Sequence, residues 1–520
     1  MVKNFKIVNC LISVSDKNKI LSLTKQLKKY KINIYSTGNT FKVLNEKIKG
    51  IKKIEDLTKF PEILNGRVKT LHPNVFGGIL GDSKDDNHLK QMNKYSIKKI
   101  QLVIVNLYPF KETISNTKNI KKCIENIDIG GPSMVRAAAK NFSNTVIVTD
   151  PNDYSKISTE LQQTGTISLE TRKMLANKAF ELVTDYDYEI SKWFNEKIMG
   201  NESKQFHIKG KLKQNLRYGE NPHQKASYFI SQEMPFYKKI QGKELSYNNL
   251  NDIKTSLKLL LEFKSPCAVI IKHSTPCGVA EDLSLIKAWD KAFAADPLSA
   301  FGGVVALNRV VDKEIAKKLQ SIFLEVVIAV NFTTEALKIL SSKKNLRLLK
   351  VLNLKKSFNQ LKNDITLLPN GFLIQDRDKL TLKKNKIKVV TKHKPTEKQL
   401  ENLLFAFKVV KHVRSNAIVL AKNRATVGIG SGNTSRVDSV KFAIDKARRS
   451  GKNNKKSTEG AVLASDAFFP FSDSILLAKK AGIKSIIQPG GSLNDQEVIK
   501  KSNDSNISMV FTNKRCFSHS

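Results

Sequence analysis

Short apolar runs recur along the chain, and each ends at a loop of polar residues and glycine. Residues 102–105 and 268–271 are clear examples. Runs of this length and composition are typical of strands that are buried on both faces. Helical stretches lie between them in the N-terminal part of the chain, which predicts a parallel, three-layer α/β domain there. Because α/β enzymes bind ligands at strand ends, these loops are the candidate functional sites.

The length of the chain predicts more than one domain, because 520 residues and 58.4 kDa exceed what a single core usually accommodates. The first residues lack the long apolar segment of a signal peptide, and no run approaches the roughly 18 to 20 apolar residues of a membrane span. We therefore expect a cytoplasmic protein without membrane contact. The five cysteines are scattered and lack the spacing of metal ligands, which favours free thiols over a zinc site.

The formal net charge of +42 makes a nucleic-acid-binding protein one candidate class. The lysines, however, are spread through every segment and do not form one basic stripe. A weaker inference is retained, namely that anionic small molecules are drawn to the protein.

Two N-terminal loops are candidate phosphate sites. The first, residues 36–40, places hydroxyls and a glycine between a strand and a helix, where free backbone N–H groups favour an anion; ordinary strand-to-helix turns use the same residues. In the second, Arg67 and Lys69 alternate, so an extended segment would point both cations the same way. An exposed charged edge explains that pattern equally well.

A third candidate lies at residues 267–280, where Lys272 and His273 follow a buried apolar run. Pro276 and Gly278 predict a turn immediately afterwards. A surface lysine beside a structural histidine is the alternative. The loop at residues 217–224 is polar and has no helical period, which favours a role in a site over one in packing.

Taken together, the motifs closely resemble one family along essentially the whole chain. They read SVSDK, STGNT, GRVKTLHP, NLYPF, IDIGGPSMVRAAAKN, LRYGENPHQ, GKELSYNN, KHSTPCG, AFGGVVALN, GIGSGNTSR, ASDAFFPF, QPGGS and FTNKR, in that order. This set resembles the bifunctional AICAR formyltransferase/IMP cyclohydrolase family of de novo purine synthesis. The resemblance implies formyl transfer from 10-formyltetrahydrofolate to AICAR, giving FAICAR and tetrahydrofolate, followed by closure of FAICAR to IMP with loss of water.

The resemblance also implies a domain arrangement. Residues 1–198 would form the cyclohydrolase with a methylglyoxal-synthase-like α/β fold, 199–214 a linker, and 215–520 the formyltransferase, built from two tandem cytidine-deaminase-like α/β units. The zinc signature usual in that second fold is missing, since Pro276-Cys277 has no second cysteine three residues on. We therefore expect no catalytic metal and no redox cofactor. A homodimer with formyltransferase sites shared between subunits is implied as well.

The residues carried over from the family divide by role. In formyl transfer, His273 would move the proton of the amine, Lys272 would stabilise charge or assist the leaving nitrogen, and Asn416 would orient the carboxamide. In ring closure, positioning supplies most of the acceleration, and Tyr108, Asp128, Lys140 and Lys69 would be catalytic. The substrate-binding positions would be Lys17, Ser36, Thr37, Arg67, Thr70, Asn106 and Gly130 in the first domain, and Arg217, Tyr218, Phe301, Glu325, Arg436, Phe468, Asp473 and Arg515 in the second.

Three positions depart from the family pattern. Asn39 stands where the family has a second glycine, Thr275 replaces a common Asn, and Val330 replaces a common Pro. These departures bear on affinity more than on function. Two alternatives are retained separately, namely a relative with only one of the two activities and a nucleic-acid-binding protein.

Overall fold

The computed structural model describes residues 5–201, 205–231, 235–352, 358, 363–450 and 457–519. The chain divides into two compact units, Met1–His207 and Ile208–Ser520. The first strand of the second unit, β6 (Lys211–Leu216), begins inside the stretch predicted as a linker. The polar, lysine-rich composition of this strand hid it, because its side chains are mostly exposed.

The first unit contains a parallel sheet in the order β3-β2-β1-β4-β5. Its strands are β1 (Asn9–Val14), β2 (Asn33–Ser36), β3 (Ile51–Lys53), β4 (Leu102–Asn106) and β5 (Val146–Val148). Along β1 the side chains alternate between the two faces, with Cys10 and Ile12 in one apolar cluster and Leu11 in the other. Both faces are therefore buried, as the apolar runs predict.

Helices cover both faces of this sheet. They are α1 (Ile20–Lys29), α2 (Gly38–Lys47), α3 (Glu55–Thr58), α4 (Pro73–Leu80), α5 (Asp86–Lys94), α6 (Phe110–Asn116), α7 (Ile120–Glu125), α8 (Gly130–Lys140), α9 (Tyr154–Thr164) and α10 (Leu169–Lys197). Apolar residues of α1 and α9 pack on one face, and those of α4, α8 and α10 pack on the other. The unit is thus the three-layer α/β domain that the alternation predicts.

The second unit is built on a twelve-stranded mixed sheet. Its strands are β8 (Tyr237–Gln241), β9 (Cys267–Lys272), β10 (Thr275–Glu281), β11 (Gly303–Leu307), β12 (Leu324–Ala329), β13 (Arg347–Val351), β16 (Lys388–Val389), β17 (Ile418–Lys422), β18 (Ala425–Gly430), β19 (Val462–Ser465), β20 (Ser485–Gln488) and β21 (Ser508–Phe511). Two separate pairs join β6 to β7 (Ala226–Ile230), and β14 (Asn363–Leu368) to β15 (Gly371–Asp376).

The helices of this unit are α11 (Tyr247–Leu260), α12 (Leu285–Ala295), α13 (Pro297–Ala300), α14 (Lys313–Gln320), α15 (Thr334–Leu340), α16 (Glu397–Val410), α17 (Arg436–Ser450), α18 (Asp473–Lys480) and α19 (Asp495–Asp504). Both α11 and α16 begin with a capping box, formed by Ser246 with Asn249 and by Thr396 with Gln399. Such boxes satisfy backbone donors at the helix start.

The second unit contains an internal structural repeat. From the centre outwards the sheet runs β10-β9-β11-β12-β13-β8 on one side and β18-β17-β19-β20-β21-β16 on the other. The two halves have the same order of elements and the same strand directions, and the equivalent strands β10 and β18 pair antiparallel at the centre. Helices α11 and α16 share one apolar cluster, whereas α12 and α17 lie in separate clusters.

The chain turns at His273 and Ser274, not at Pro276 and Gly278 as the sequence predicts. Lys272 pairs with Thr275, and both central residues have positive φ, 51° and 57°. This is the geometry of a two-residue type I′ hairpin. Pro276 and Gly278 instead lie within β10 at a bulge, where a residue without an N–H is tolerated.

Among the helices of the described ranges, none is long and apolar enough to cross a membrane.

Candidate active sites

The first candidate site lies where β1 and β4 end. The chain passes from β1 to β2 and β3 on one side and then returns to β4 on the other side of β1. Such a reversal opens a crevice at the carboxyl ends of the strands. Lys17 follows β1, Ser36 ends β2 and Asn106 ends β4, so the strands deliver three predicted residues to this edge.

The loop from Ser36 to Thr40 connects β2 to α2, as predicted. Ser36 Oγ donates to the carbonyl of Ile12 (2.9 Å), and Thr37 Oγ1 lies 2.8 Å from Ser13 Oγ, so both hydroxyls brace the loop. Gly38 has positive φ (39°), whereas Asn39 does not. The departure from glycine at Asn39 therefore causes no backbone strain. The N–H groups of the first turn of α2 remain the candidate anion-binding element of this loop.

The segment that follows is not extended, so the prediction that Arg67 and Lys69 share one strand face is wrong. A short 3₁₀ turn, Leu64–Gly66, precedes Arg67, which itself has helical φ and ψ. Arg67 forms an exposed ion pair with Glu125. The ammonium of Lys69 instead lies beside the α2 loop, 3.8 Å from the point that a Cβ on Gly38 would occupy.

Asp128 is the most perturbed carboxylate of this site. Burial raises its pKa, against the opposing effects of backbone hydrogen bonds from Gly131 and Tyr108 and of the positive charge of Lys69. The Gly131 N–H donates to Asp128 Oδ1 at 2.8 Å. Thr70 lies alongside, since a Cβ on Gly130 would come within 2.9 Å of its Oγ1. The structure therefore brings Lys69, Thr70, Tyr108, Asp128 and Gly130 together.

One residue of this cluster was missed in the sequence. Tyr186, on α10, accepts the Asp128 N–H at 2.8 Å, and burial raises the pKa of its hydroxyl to about 12. It lies 58 residues from Asp128 in the sequence, and no local pattern marks it.

Other predicted residues of this unit have different positions. Asn106 accepts the N–H groups of Ser15 and Asp16 at 2.5 and 2.9 Å, so it braces the loop that carries Lys17. Lys140 is exposed at the end of α8, the helix that Gly130 begins. At 1.5 Å per residue those two Cα atoms are about 15 Å apart. The structure does not bring Lys140 to the Asp128 cluster.

The second candidate site surrounds the β9–β10 turn. His273 is exposed at its tip, and the half-buried Lys272 donates from Nζ to the carbonyl of Phe301 at 2.7 Å. Asp252, on α11, accepts the Ser274 N–H at 2.6 Å and also a hydrogen bond from the His273 backbone. Burial raises the pKa of Asp252, and those hydrogen bonds and the nearby His273 oppose the rise. No local sequence pattern marks Asp252 as a site residue.

Lys272 also lines a cavity of about 220 Å³ between the two repeats. Thr275, Cys277 and Asp296 contribute from the first repeat, and Lys446 from the second. Lys446 pairs with Asp296 at 2.6 Å. Burial would raise the pKa of Asp296, but hydrogen bonds from Lys446 and Ser299 hold that pKa below its usual value. The cavity wall is therefore polar and charged at this end.

Arg436 and Asn416 belong to one buried polar network. Arg436 donates from Nη2 to Asn416 Oδ1 at 2.7 Å, and its Nη1 pairs with Asp466, which is fully buried. Asp466 also accepts the Ser415 hydroxyl. Asn416 in turn donates to the carbonyls of Asn433 and Thr434. The network fixes the amide of Asn416, and Asp466 is a member that the sequence analysis missed.

The remaining predicted residues of this unit lie at its surface or its edges. Arg217 is exposed and lies over the ring of Tyr218, and Arg515 is exposed and lies over Phe517. Phe301 is exposed beside Phe323, with ring centroids 5.2 Å apart. Glu325 pairs with Arg347 at 2.5 Å.

Phe468 follows β19 and is partly exposed, and Asp473 begins α18. The contacts of these two residues do not indicate which part of a ligand they would bind.

Within the described ranges, no group of three or more His, Cys, Asp or Glu side chains is arranged to hold a metal ion.

Comparisons with known proteins identify the family. The model of the AICARFT/IMPCHase bienzyme family matches residues 138–446, and that of the MGS-like domain matches residues 19–133. Proteins called bifunctional purine biosynthesis protein PurH are 49% identical in Caldicellulosiruptor bescii and 47% in Persephonella marina, each over 98% of this chain and 99% of the relative. The chain belongs to the AICARFT/IMPCHase bienzyme family.

Membership confirms the predicted family and function. The chain is a bifunctional enzyme of purine biosynthesis with AICAR formyltransferase and IMP cyclohydrolase activities. The MGS-like match confirms the predicted fold of the first unit. A solved structure titled "Crystal structure of ForH" is 33% identical over 36% of this chain and 96% of its own, with a TM-score of 0.33 that is too low to define a shared fold.

Proposed function

We propose that the first unit closes FAICAR to IMP and that the second transfers the formyl group from 10-formyltetrahydrofolate to AICAR. The observation that carries this division is that each unit contains a carboxylate with a raised pKa beside basic residues. Asp128 and Lys69 form one cluster, and His273, Lys272 and Asp252 form the other. Carboxylates with shifted pKa values beside basic residues favour catalytic roles.

In the second unit, the exposed imidazole of His273 takes a proton from the 5-amino nitrogen of AICAR as that nitrogen bonds to the formyl carbon. The proton then passes to N10 of the folate as the bond from the formyl carbon to N10 breaks. Lys272, held by the Phe301 carbonyl, stabilises negative charge on the formyl oxygen. The fixed amide of Asn416 orients the carboxamide of AICAR, with Arg436 behind it.

In the first unit, the N–H groups at the start of α2 and the ammonium of Lys69 bind the phosphate of FAICAR. Thr70, Gly130 and the Lys17 loop surround the ribose, and Arg67 lies at the rim beside Glu125. The carboxamide nitrogen attacks the formyl carbon within the same molecule, so holding the two groups close supplies most of the rate. Asp128 accepts the proton of that nitrogen, and Tyr108 polarises the formyl oxygen before water leaves.

The two repeats of the second unit are candidates for tandem cytidine-deaminase-like units. Their matching order of elements, β8-α11-β9-β10-α12 and β16-α16-β17-β18-α17, supports a duplication. We further propose a cytoplasmic enzyme that needs no catalytic metal.

We also propose a homodimer, and two exposed arginines support it. Arg217 and Arg515 are exposed, and each guanidinium lies over a neighbouring ring. We infer that a second copy of the chain completes the nucleotide phosphate pocket. Mixing Arg217→Ala protein with His273→Ala protein tests this, because each mixed dimer regains one intact site if the two residues come from different subunits. Unchanged inactivity after subunit exchange contradicts the shared site.

The overall proposal is tested in one assay with AICAR and 10-formyltetrahydrofolate that follows tetrahydrofolate and IMP together. We expect both products in equal amounts. Tetrahydrofolate without IMP, or IMP only from supplied FAICAR, contradicts the assignment of both steps to this chain.

A further inference from the structure

The two hairpins at the centre of the second unit have the same turn. His273 and Ser274 join β9 to β10, and Asn423 and Arg424 join β17 to β18; all four have φ between 51° and 57°. In each repeat, an oxygen from the preceding helix accepts the N–H of the second turn residue. Asp252 Oδ1 accepts from Ser274 at 2.6 Å, and Asn402 Oδ1 accepts from Arg424 at 2.7 Å.

The equivalent residues differ in charge. In the second repeat the neutral Asn402 faces a turn that carries Asn423, and in the first repeat the ionisable Asp252 faces a turn that carries His273. Because Asn402 holds the same turn with an amide, the geometry of the turn does not require a carboxylate. The carboxylate of Asp252 is therefore present for another reason.

The neighbouring charges indicate what that reason is. His273 is exposed at the tip of its turn, and the ammonium of Lys272, directly before it, is held at the carbonyl of Phe301. Asp252 is half-buried, accepts the His273 N–H and interacts electrostatically with the His273 side chain. A carboxylate in that position stabilises the positive charge that the imidazole acquires when it gains a proton.

We propose that Asp252 is a positioning residue for formyl transfer, which fixes the His273 turn and stabilises the imidazolium that forms as the proton leaves the amine. This rests on the proposed role of His273. The imidazolium gives its proton to N10 in the second half of the step, so Asp252 neither gains nor loses a proton. Its effect is on kcat, since the charge develops only during reaction.

The test compares two variants of equal size that differ in charge, Asp252→Glu and Asp252→Gln, in the full-length protein. We expect kcat for formyl transfer to be about tenfold lower in the neutral variant, with KM for AICAR changed less than about twofold. Asp252→Asn repeats the comparison with the side chain that already holds the second turn. Asn402→Asp is the matched control, and its kcat should equal that of the wild type, because Asn423 cannot accept a proton as His273 does.

The possible results are distinguishable. Equal kcat in Asp252→Glu and Asp252→Gln, or wild-type kcat in Asp252→Asn, overturns the role of the charge and leaves Asp252 as a turn-holding residue only. Full activity in His273→Ala overturns the proposed function instead. If Asp252→Asn fails to fold by circular dichroism, the Glu and Gln pair still decides the question.

Discussion

Substituting Gly278 by alanine should separate β10 from α12 and destabilise the second unit. A Cβ on Gly278 would lie 2.9 Å from the carbonyl carbon of Ala292, and nearer still to the carbonyl oxygen. Ordinary van der Waals contacts of a Cβ begin at 3.4 Å, so clearing the carbonyl carbon alone moves strand and helix apart by about 0.5 Å, and clearing the nearer oxygen requires more. Because the obstructing atoms belong to a helix backbone, no side chain can rotate away.

Overpacking of this kind costs about 1–3 kcal/mol. With a urea m-value of roughly 3 kcal/mol/M, the unfolding midpoint should fall by about 0.3–1 M. Trp289 lies on α12 and is buried, so its fluorescence reports the transition in a Trp193→Phe background, which removes the other tryptophan. Formyl transfer should weaken as well, because Cys277 and Thr275 of the same strand line the cavity.

Two glycines serve as comparisons. Gly428→Ala places a Cβ 3.1 Å from the carbonyl carbon of Ala443 in the second repeat and should cost a similar amount. Gly371→Ala meets nothing within 4 Å and should leave the midpoint unchanged. A Gly278→Ala midpoint equal to that of Gly371→Ala would refute the reasoning.

Three further predictions concern buried or unusual positions. Asp466→Asn leaves Arg436 without its buried counter-charge and should lower the free energy of unfolding of the second unit by about 3–5 kcal/mol in the same urea assay. A loss below about 1 kcal/mol would show that this ion pair does not stabilise the unit. Burial holds the pKa of His412 below its ordinary value despite the hydrogen bond to Glu262, so the contribution of His412 to stability is present above about pH 6.5 and is lost as the pH falls. In His412→Gln protein, the urea midpoint should therefore depend less on pH between about pH 7 and 5. A pH dependence equal to that of the wild type argues against this. Asn39→Gly should leave the KM of ring closure within about twofold, because Asn39 does not have positive φ; a large improvement would show that the backbone needs glycine there.

Much of the first unit could be predicted from local sequence. The apolar runs of β1 and β4 and the loop from Ser36 to Thr40 lie where their patterns indicate, because each depends only on neighbouring residues. The conformation around Arg67 could not be predicted, since it depends on a 3₁₀ turn and on Glu125, 58 residues away.

In the second unit the turn at His273 was misplaced for a physical reason. Proline and glycine are strong turn signals, whereas His273 and Ser274 carry no such signal and adopt positive φ in a two-residue hairpin whose backbone Asp252 binds. The internal repeat was implied by the family resemblance but could not be read from the residues themselves, because its two halves share the positions of apolar residues more than their identities. Lys272 with Lys422, and Gly278 with Gly428, are among the few equivalent pairs that are identical along these hairpins.

The central claim is that one chain carries two independent sites, and a pair of variants tests it most directly. Formyl transfer and ring closure should be measured separately in His273→Ala and Lys69→Ala proteins that fold like the wild type. We expect the first variant to lose formyl transfer and keep ring closure, and the second to do the reverse. Loss of both activities in either folded variant, or retention of both, would contradict the two-site account.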